Sequence, residues 1–169
     1  GVAVGDARAA KIAPGSHIIS PDLCAKDALE QLLDSKRIAG LINIVEGEWN
    51  SEVFEDMVKA GYSPSAIKEA LAQLKLPASF KSLEGLLFPA QYSFARGTSA
   101  AEAIAAMVEK AQSEMKGAGI LEAPGKFSAQ ELLTIASIIQ AEGGLADFTK
   151  VSRVIRNRLE KGMPLQMDS

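Results

Sequence analysis

Phe127–Gly144 reads FSAQELLTIASIIQAEGG, a stretch that predicts a helix with both ends marked. Ser128 and Glu131 have the spacing of a capping box, in which each side chain bonds a backbone amide left free at a helix N-terminus. Leu132, Leu133, Ile135, Ile138 and Ile139 then recur close to the 3.6-residue period of a buried helical face. Glu142 prolongs that stripe, so its carboxyl is expected to leave the helix on the side that faces other protein. Gly143 and Gly144 stop the helix. A carboxyl in partly apolar surroundings loses hydration of its charged form and holds its proton more firmly, which is what a general acid needs. The plain alternative is a glutamate near a helix end that reaches solvent or pairs with an arginine such as Arg153 or Arg156.

Outward from this helix, the 169 residues are 47% hydrophobic with a net charge of −3 and a pI of about 5.3, which fits one or two globular domains with a sizeable core. A weakly acidic chain with 5% aromatics lacks the basic face and stacking rings of a nucleic-acid binder. The single cysteine, Cys24, allows no intrachain disulfide and no cysteine-based zinc site. The single histidine, His17, sits in the turn-rich APGSHIIS and argues against a Ser-His-Asp relay or a multi-histidine metal centre. No metal or other cofactor is implied, and carboxylates are the groups left for chemistry. No apolar run approaches the roughly 20 residues that span a bilayer.

The remaining patterns predict an α+β fold, a small strand-helix-strand module followed by a mainly helical unit. SHIIS after Gly15 and the run LINIVEG from Leu41 are the strand candidates, joined by an amphipathic helix from near Asp22 to Lys36 or Arg37. SEVFEDMVKAG, capped by Ser51 and stopped by Gly61, and SPSAIKEALAQL, after Ser63 or Ser65, are short helices. Pro89 disfavours helix in SLEGLLFPAQYSF, where Tyr92 and Phe94 alternate like a strand. A helix from Thr98 or Ser99 to near Lys116 follows, and then a Gly/Pro linker. After the Glu142 helix, Asp147 or Thr149 caps a last one carrying Val151, Val154, Ile155 and Leu159, ended by Gly162 before Pro164.

Four stretches, in order, resemble the membrane-anchored endolytic murein transglycosylases, the MltG or YceG-like family: VEGEW (45–49), LEGLLFPAQYSF (83–94), ASIIQAEG (136–143) and VIRNRLEKGMPLQMDS (154–169). The Gln-Ala-Glu form of the third looks like the actinobacterial branch. The resemblance implies a LysM-like module with a helical connector over residues 1–80, and the N-terminal part of a catalytic domain over 81–169, the family pattern running on past the aspartate of LQMDS. It implies cleavage of the β-1,4 bond between N-acetylmuramic acid and N-acetylglucosamine in nascent peptidoglycan strands, leaving 1,6-anhydromuramyl ends. It further implies a membrane anchor outside this stretch, a catalytic domain on the extracytoplasmic side of the cell membrane, and peptidoglycan synthases as neighbours.

The family's single catalytic glutamate maps onto Glu142, the position that helical periodicity also selects. Some members carry a second glutamate two residues earlier, where this chain has Gln140, an amide that cannot serve as a general acid. The resemblance places Glu84 near the cleft, as a partner for sugar hydroxyls or for positive charge at the anomeric carbon, or else as a capping glutamate before Gly85. Tyr92 is a candidate sugar contact or a core residue. Asn157 and Gln166 offer amides suited to N-acetyl or hydroxyl groups, and Asp168 a further carboxylate. Arg158 either braces the last two helices or meets an anionic part of the substrate. Two other functions stay open: a two-carboxylate glycoside hydrolase, with Glu84 or Asp168 about 5–9.5 Å from Glu142, and a noncatalytic peptidoglycan-binding module with Glu142 structural.

Overall fold

A computed structural model describes residues 6–122 and 125–167. They form six α-helices and one two-stranded antiparallel sheet, an α+β arrangement. The helices are α1 (Ala25–Leu33), α2 (Asn50–Lys59), α3 (Pro64–Gln73), α4 (Ala100–Gly117), α5 (Ala129–Glu142) and α6 (Phe148–Glu160); the strands are β1 (Leu41–Asn43) and β2 (Gln91–Ser93). The chain divides into two compact units that are discontinuous in sequence. One is built from Gly1–Glu46, Ser51–Leu74 and Pro89–Ala106, the other from Gly47–Asn50, Lys75–Phe88 and Met107–Ser169.

In the first unit β1 pairs with β2 in the register Leu41↔Ser93, Ile42↔Tyr92, Asn43↔Gln91. Ile42 and Tyr92 are directly opposed and both buried, while Leu41 and Asn43 are exposed, the alternation of a one-sided sheet. The helices α2 and α3 lie between the two strands in sequence and bury Val53, Met57, Ile67 and Ala70. Ser63 caps α3 through the Ala66 amide, and α2 starts at Asn50, one residue before the expected cap at Ser51.

The expected strand-helix-strand module at the N-terminus is corrected. SHIIS contributes one antiparallel bridge, His17 with Ile38, and the strand partner of LIN is QYS. The helix between them is also shorter than its apolar pattern. Asp22 takes a left-handed φ of 56°, which delays α1 to Ala25, and Asp34 caps a separate 3-10 turn at Ser35–Arg37 by accepting from the Lys36 amide at 3.0 Å.

In the second unit the last part of α4 buries Met107, Val108, Ala111 and Met115. Both long helices open on reciprocal boxes. Glu102 accepts from the Ser99 amide at 2.8 Å while Ser99 Oγ accepts from the Glu102 amide, and Glu131 and Ser128 repeat the pattern at 2.7 and 3.3 Å. Pairing with the Ser128 amide, then with its hydroxyl, holds the Glu131 carboxyl below its ordinary range. Packed against each other, α5 and α6 form a hairpin closed by Gly143–Asp147. Asp147 precedes α6 without capping it: its backbone is already helical and its carboxylate takes Lys150 at 3.1 Å.

Candidate active site

The second unit contains Glu142, Glu84, Asn157 and Gln166; Tyr92 belongs to the first, and Asp168 lies outside the described residues. Glu142 is the last residue of α5. It keeps the helical face of Ile135, which is 7% exposed, but its own side chain is exposed, so the expectation that it faces other protein is corrected. The reason is axial rather than angular. Burial along this face is complete at Ile135 and partial at Ile138 and Ile139, and the turn carrying Glu142 runs past the covered part. Packing resumes at Gly143, where a Cβ would lie 3.2 Å from Val151 and 3.6 Å from Phe148, so the opening of α6 crosses close over this glycine. Among the described residues no hydrogen bond or ion pair engages the Glu142 carboxyl, and Arg153 and Arg156 are exposed without a bond to it.

The segment carrying Glu84 is fastened to α5 at two points. The Lys81 amide donates to Gln130 Oε1 at 2.9 Å, and Gly85, with φ 81°, approaches so closely that a Cβ would stand 2.9 Å from Leu133 Cδ2. A side chain at position 85 would therefore meet both a disfavoured backbone and a clash. Glu84 itself is exposed. Its amide donates to Ser82 Oγ at 3.1 Å, and its Oε1 accepts from the Asn50 amide at 3.3 Å, at the first residue of α2. The carboxylate thus caps an orphan helix amide, which the positive end of the helix dipole favours.

Asn157 is exposed on α6. That helix ends in a Schellman arrangement, with Met163 and Gly162 amides returning to the Arg158 and Leu159 carbonyls at 2.9 and 3.3 Å and Gly162 in the left-handed region at φ 64°. The chain then doubles back, because the Arg158 guanidinium donates to the Leu165 carbonyl. Arg158 accordingly braces the segment after α6. The next residue, Gln166, is exposed and left-handed at φ 50°, a conformation that costs a non-glycine residue about 1 kcal/mol or more.

Tyr92 is 9% exposed, with Phe94 stacked parallel at 5.7 Å, and burial pushes its phenol up to about 12. Of its two readings, core residue or sugar contact, this placement corresponds to the core. The first unit also holds a groove of about 500 Å³ between α2 and α3, lined chiefly by Phe54, Val58, Pro64, Ile67 and Leu71; none of the candidate residues reaches it. Among the described residues no group of three or more His, Cys, Asp or Glu converges as a metal site would require, and no helix is long and apolar enough to cross a membrane.

A residue absent from the sequence-based candidates stands out by exposure. Trp49, the only tryptophan, is 65% exposed. The signal was its setting, a lone indole in the polar run EGEWNSE outside any apolar stripe.

The YceG-like family profile matches residues 2–169. The chain belongs to the YceG-like family. Over 88 residues it is 42% identical to a protein named endolytic murein transglycosylase from Bacillus subtilis, covering 51% of this chain and 24% of that protein. A Streptococcus pneumoniae protein of the same name is 35% identical over 85 residues, covering 50% of this chain and 15% of its own length. These matches span a quarter or less of the relatives. A crystal structure of a protein described as YceG-like, from Listeria monocytogenes, superposes with a TM-score of 0.59 at 25% identity, covering 94% of this chain and 60% of that one. In this YceG-like chain, α5 and α6 pack together and Gly85 of the LEG turn rests on Leu133 of α5, so parts of three of the family-like stretches lie in the second unit.

Proposed function

We propose that the chain carries the proton donor of an endolytic peptidoglycan transglycosylase, with Glu142 as the single acid and base. The observation that carries this reading is an exposed carboxyl, unengaged by other described residues, at the loop end of the α5–α6 hairpin in a YceG-like chain. The names of the Bacillus and Streptococcus relatives support the substrate class.

In this mechanism the protonated Glu142 carboxyl donates its proton to the glycosidic oxygen between N-acetylmuramic acid and N-acetylglucosamine. The C1–O bond breaks, and the N-acetylglucosamine side leaves with a 4-hydroxyl. The carboxylate then takes the proton from the muramyl 6-hydroxyl as O6 bonds to C1. A 1,6-anhydro ring forms, no water is consumed, and Glu142 returns protonated. Its exposure in the free protein means that the apolar surroundings the step requires come from the strand itself. A sugar laid over the last turn of α5 covers the carboxyl and excludes water from the reacting atoms.

Glu84, Asn157 and Gln166 are the proposed polar contacts along the strand. The LysM-like module with its helical connector over residues 1–80 belongs to the same reading. Anchoring in the cell membrane, with the catalytic part outside and synthases nearby, belongs to the same reading.

The test is mass spectrometry of uncrosslinked glycan strands incubated with the wild-type protein and with Glu142→Gln. Anhydromuramyl ends are expected from the wild type. The variant should keep strand binding and lose turnover by about 10²–10⁴-fold or more, since an amide preserves shape but donates no such proton. Reducing ends would replace this reading with hydrolysis, and strand binding without products would replace it with a binding module.

A further inference from the structure

We propose that Trp49 is the stacking platform of a glycan subsite whose polar edge is Glu84, and that this subsite takes an N-acetylglucosamine ring; the inference rests on the transglycosylase reading. A tryptophan side chain is normally buried over most of its surface, because no other residue gains as much from leaving water. Trp49 remains 65% exposed. The backbone beside the indole is also tied down. The residue after it, Asn50, donates its amide to Glu84 Oε1 at 3.3 Å, and the Glu84–Gly85 turn rests on Leu133 of α5. The backbone next to the exposed ring is thereby tied to a carboxylate whose turn rests on the helix that ends in Glu142. The rise along α5 from Leu133 to Glu142 is about 13 Å at 1.5 Å per residue, a span suited to a short run of sugars rather than to one ring.

A pyranose has two unlike surfaces, a face of C–H groups and a rim of hydroxyls. The C–H hydrogens carry slight positive charge and settle on the negative face of an aromatic ring, while rim hydroxyls and an N-acetyl N–H donate to carboxylate oxygens. Trp49 and Glu84 supply those two complements. Selectivity follows from charge: Glu48 precedes Trp49 in the chain and Glu84 accepts from the amide of the residue after it, and two nearby carboxylates disfavour a ring that carries one of its own. The neutral sugar of the strand, without the lactyl group and its peptide, is the ring that fits.

Because Trp49 is the only tryptophan, its emission reports this position alone. The probe is the β-1,4-linked tetramer of N-acetylglucosamine, titrated into the chain carrying Glu142→Gln, with calorimetry in parallel and tetragalacturonate as the anionic control. A saturable change in emission with the neutral tetramer and none with the anionic one is expected. Trp49→Ala should weaken binding about ten-fold or more, and Trp49→Phe less, as for a truncated aromatic anchor. Both variants should melt close to the parent, since the side chain is mostly in water. Calorimetric binding with unchanged emission, equal affinity in Trp49→Ala, or no binding of the tetramer would each overturn the subsite. None of these touches the transglycosylase reading, which stands or falls on anhydro products from the active protein. A tetragalacturonate response equal to that of the neutral tetramer would overturn the assignment to N-acetylglucosamine.

Discussion

Tyr92 shows how one residue's surroundings become a measurable property. Burial alone raises its phenol from 10.0 to about 12, so the folded chain holds that proton where an unfolded chain has lost it. The contribution to stability is whole below pH 10 and is lost as pH rises from 10 toward 12. Tyr62 is also raised, by burial first and then by Glu102, and contributes with the same sign. Stability against denaturant should fall over that interval, and Tyr92→Phe should make the decline shallower even where it lowers the starting value. Identical slopes for the two proteins would mean that Tyr92 is not protected. Sequence alone left Tyr92 between core and sugar contact, because alternation gives the side of a strand and not what covers that side. Glu142 was legible in the same partial way. Periodicity gave its direction from the axis of α5, whereas its exposure depends on how far packing extends along that axis.

At the scale of elements, the helices with a chemical start signal were the most legible. Ser128 with Glu131, and Ser99 with Glu102, form the boxes their spacing predicts, because the bonds involved lie within one turn and need no distant partner. The strands were less legible, since a strand is defined by its partner: SHIIS has the composition of one but makes a single bridge. The boxes carry a pH signature. Bonding to the serine amide and then to the hydroxyl lowers both Glu131 and Glu102, so their contribution is present above the carboxyl's unfolded range and is lost as pH falls through the folded values. Ser128→Ala should cost about 1 kcal/mol at neutral pH. Glu131→Gln keeps an acceptor at the third helical position and should lose less stability between pH 7 and pH 3 than the wild type does. Thermal melts followed by circular dichroism at the two pH values make the comparison, and parallel losses in both proteins would remove the box from the acid response.

At the scale of the whole molecule, the chain forms two compact units that are discontinuous in sequence, and in the first QYS returns to pair with LIN. Local patterns could not reveal this: the two strands are three residues each, and their pairing closes a long loop whose entropy is repaid only by the contacts made at its end. Ile42, 1% exposed and opposite Tyr92, sits where that return is secured. Ile42→Ala should cost about 2–5 kcal/mol from lost burial and the cavity left behind. Amide hydrogen exchange gives the sharper test, since a cooperative unit opens together whatever its order along the chain. In the variant, Gln91–Ser93 should lose protection together with α2 and α3. A strand pair bound only weakly to that unit would instead let β1 and β2 exchange faster while the amides of α2 and α3 kept their wild-type rates, and residues 89–106 would then have to be assigned apart from the segments that precede them.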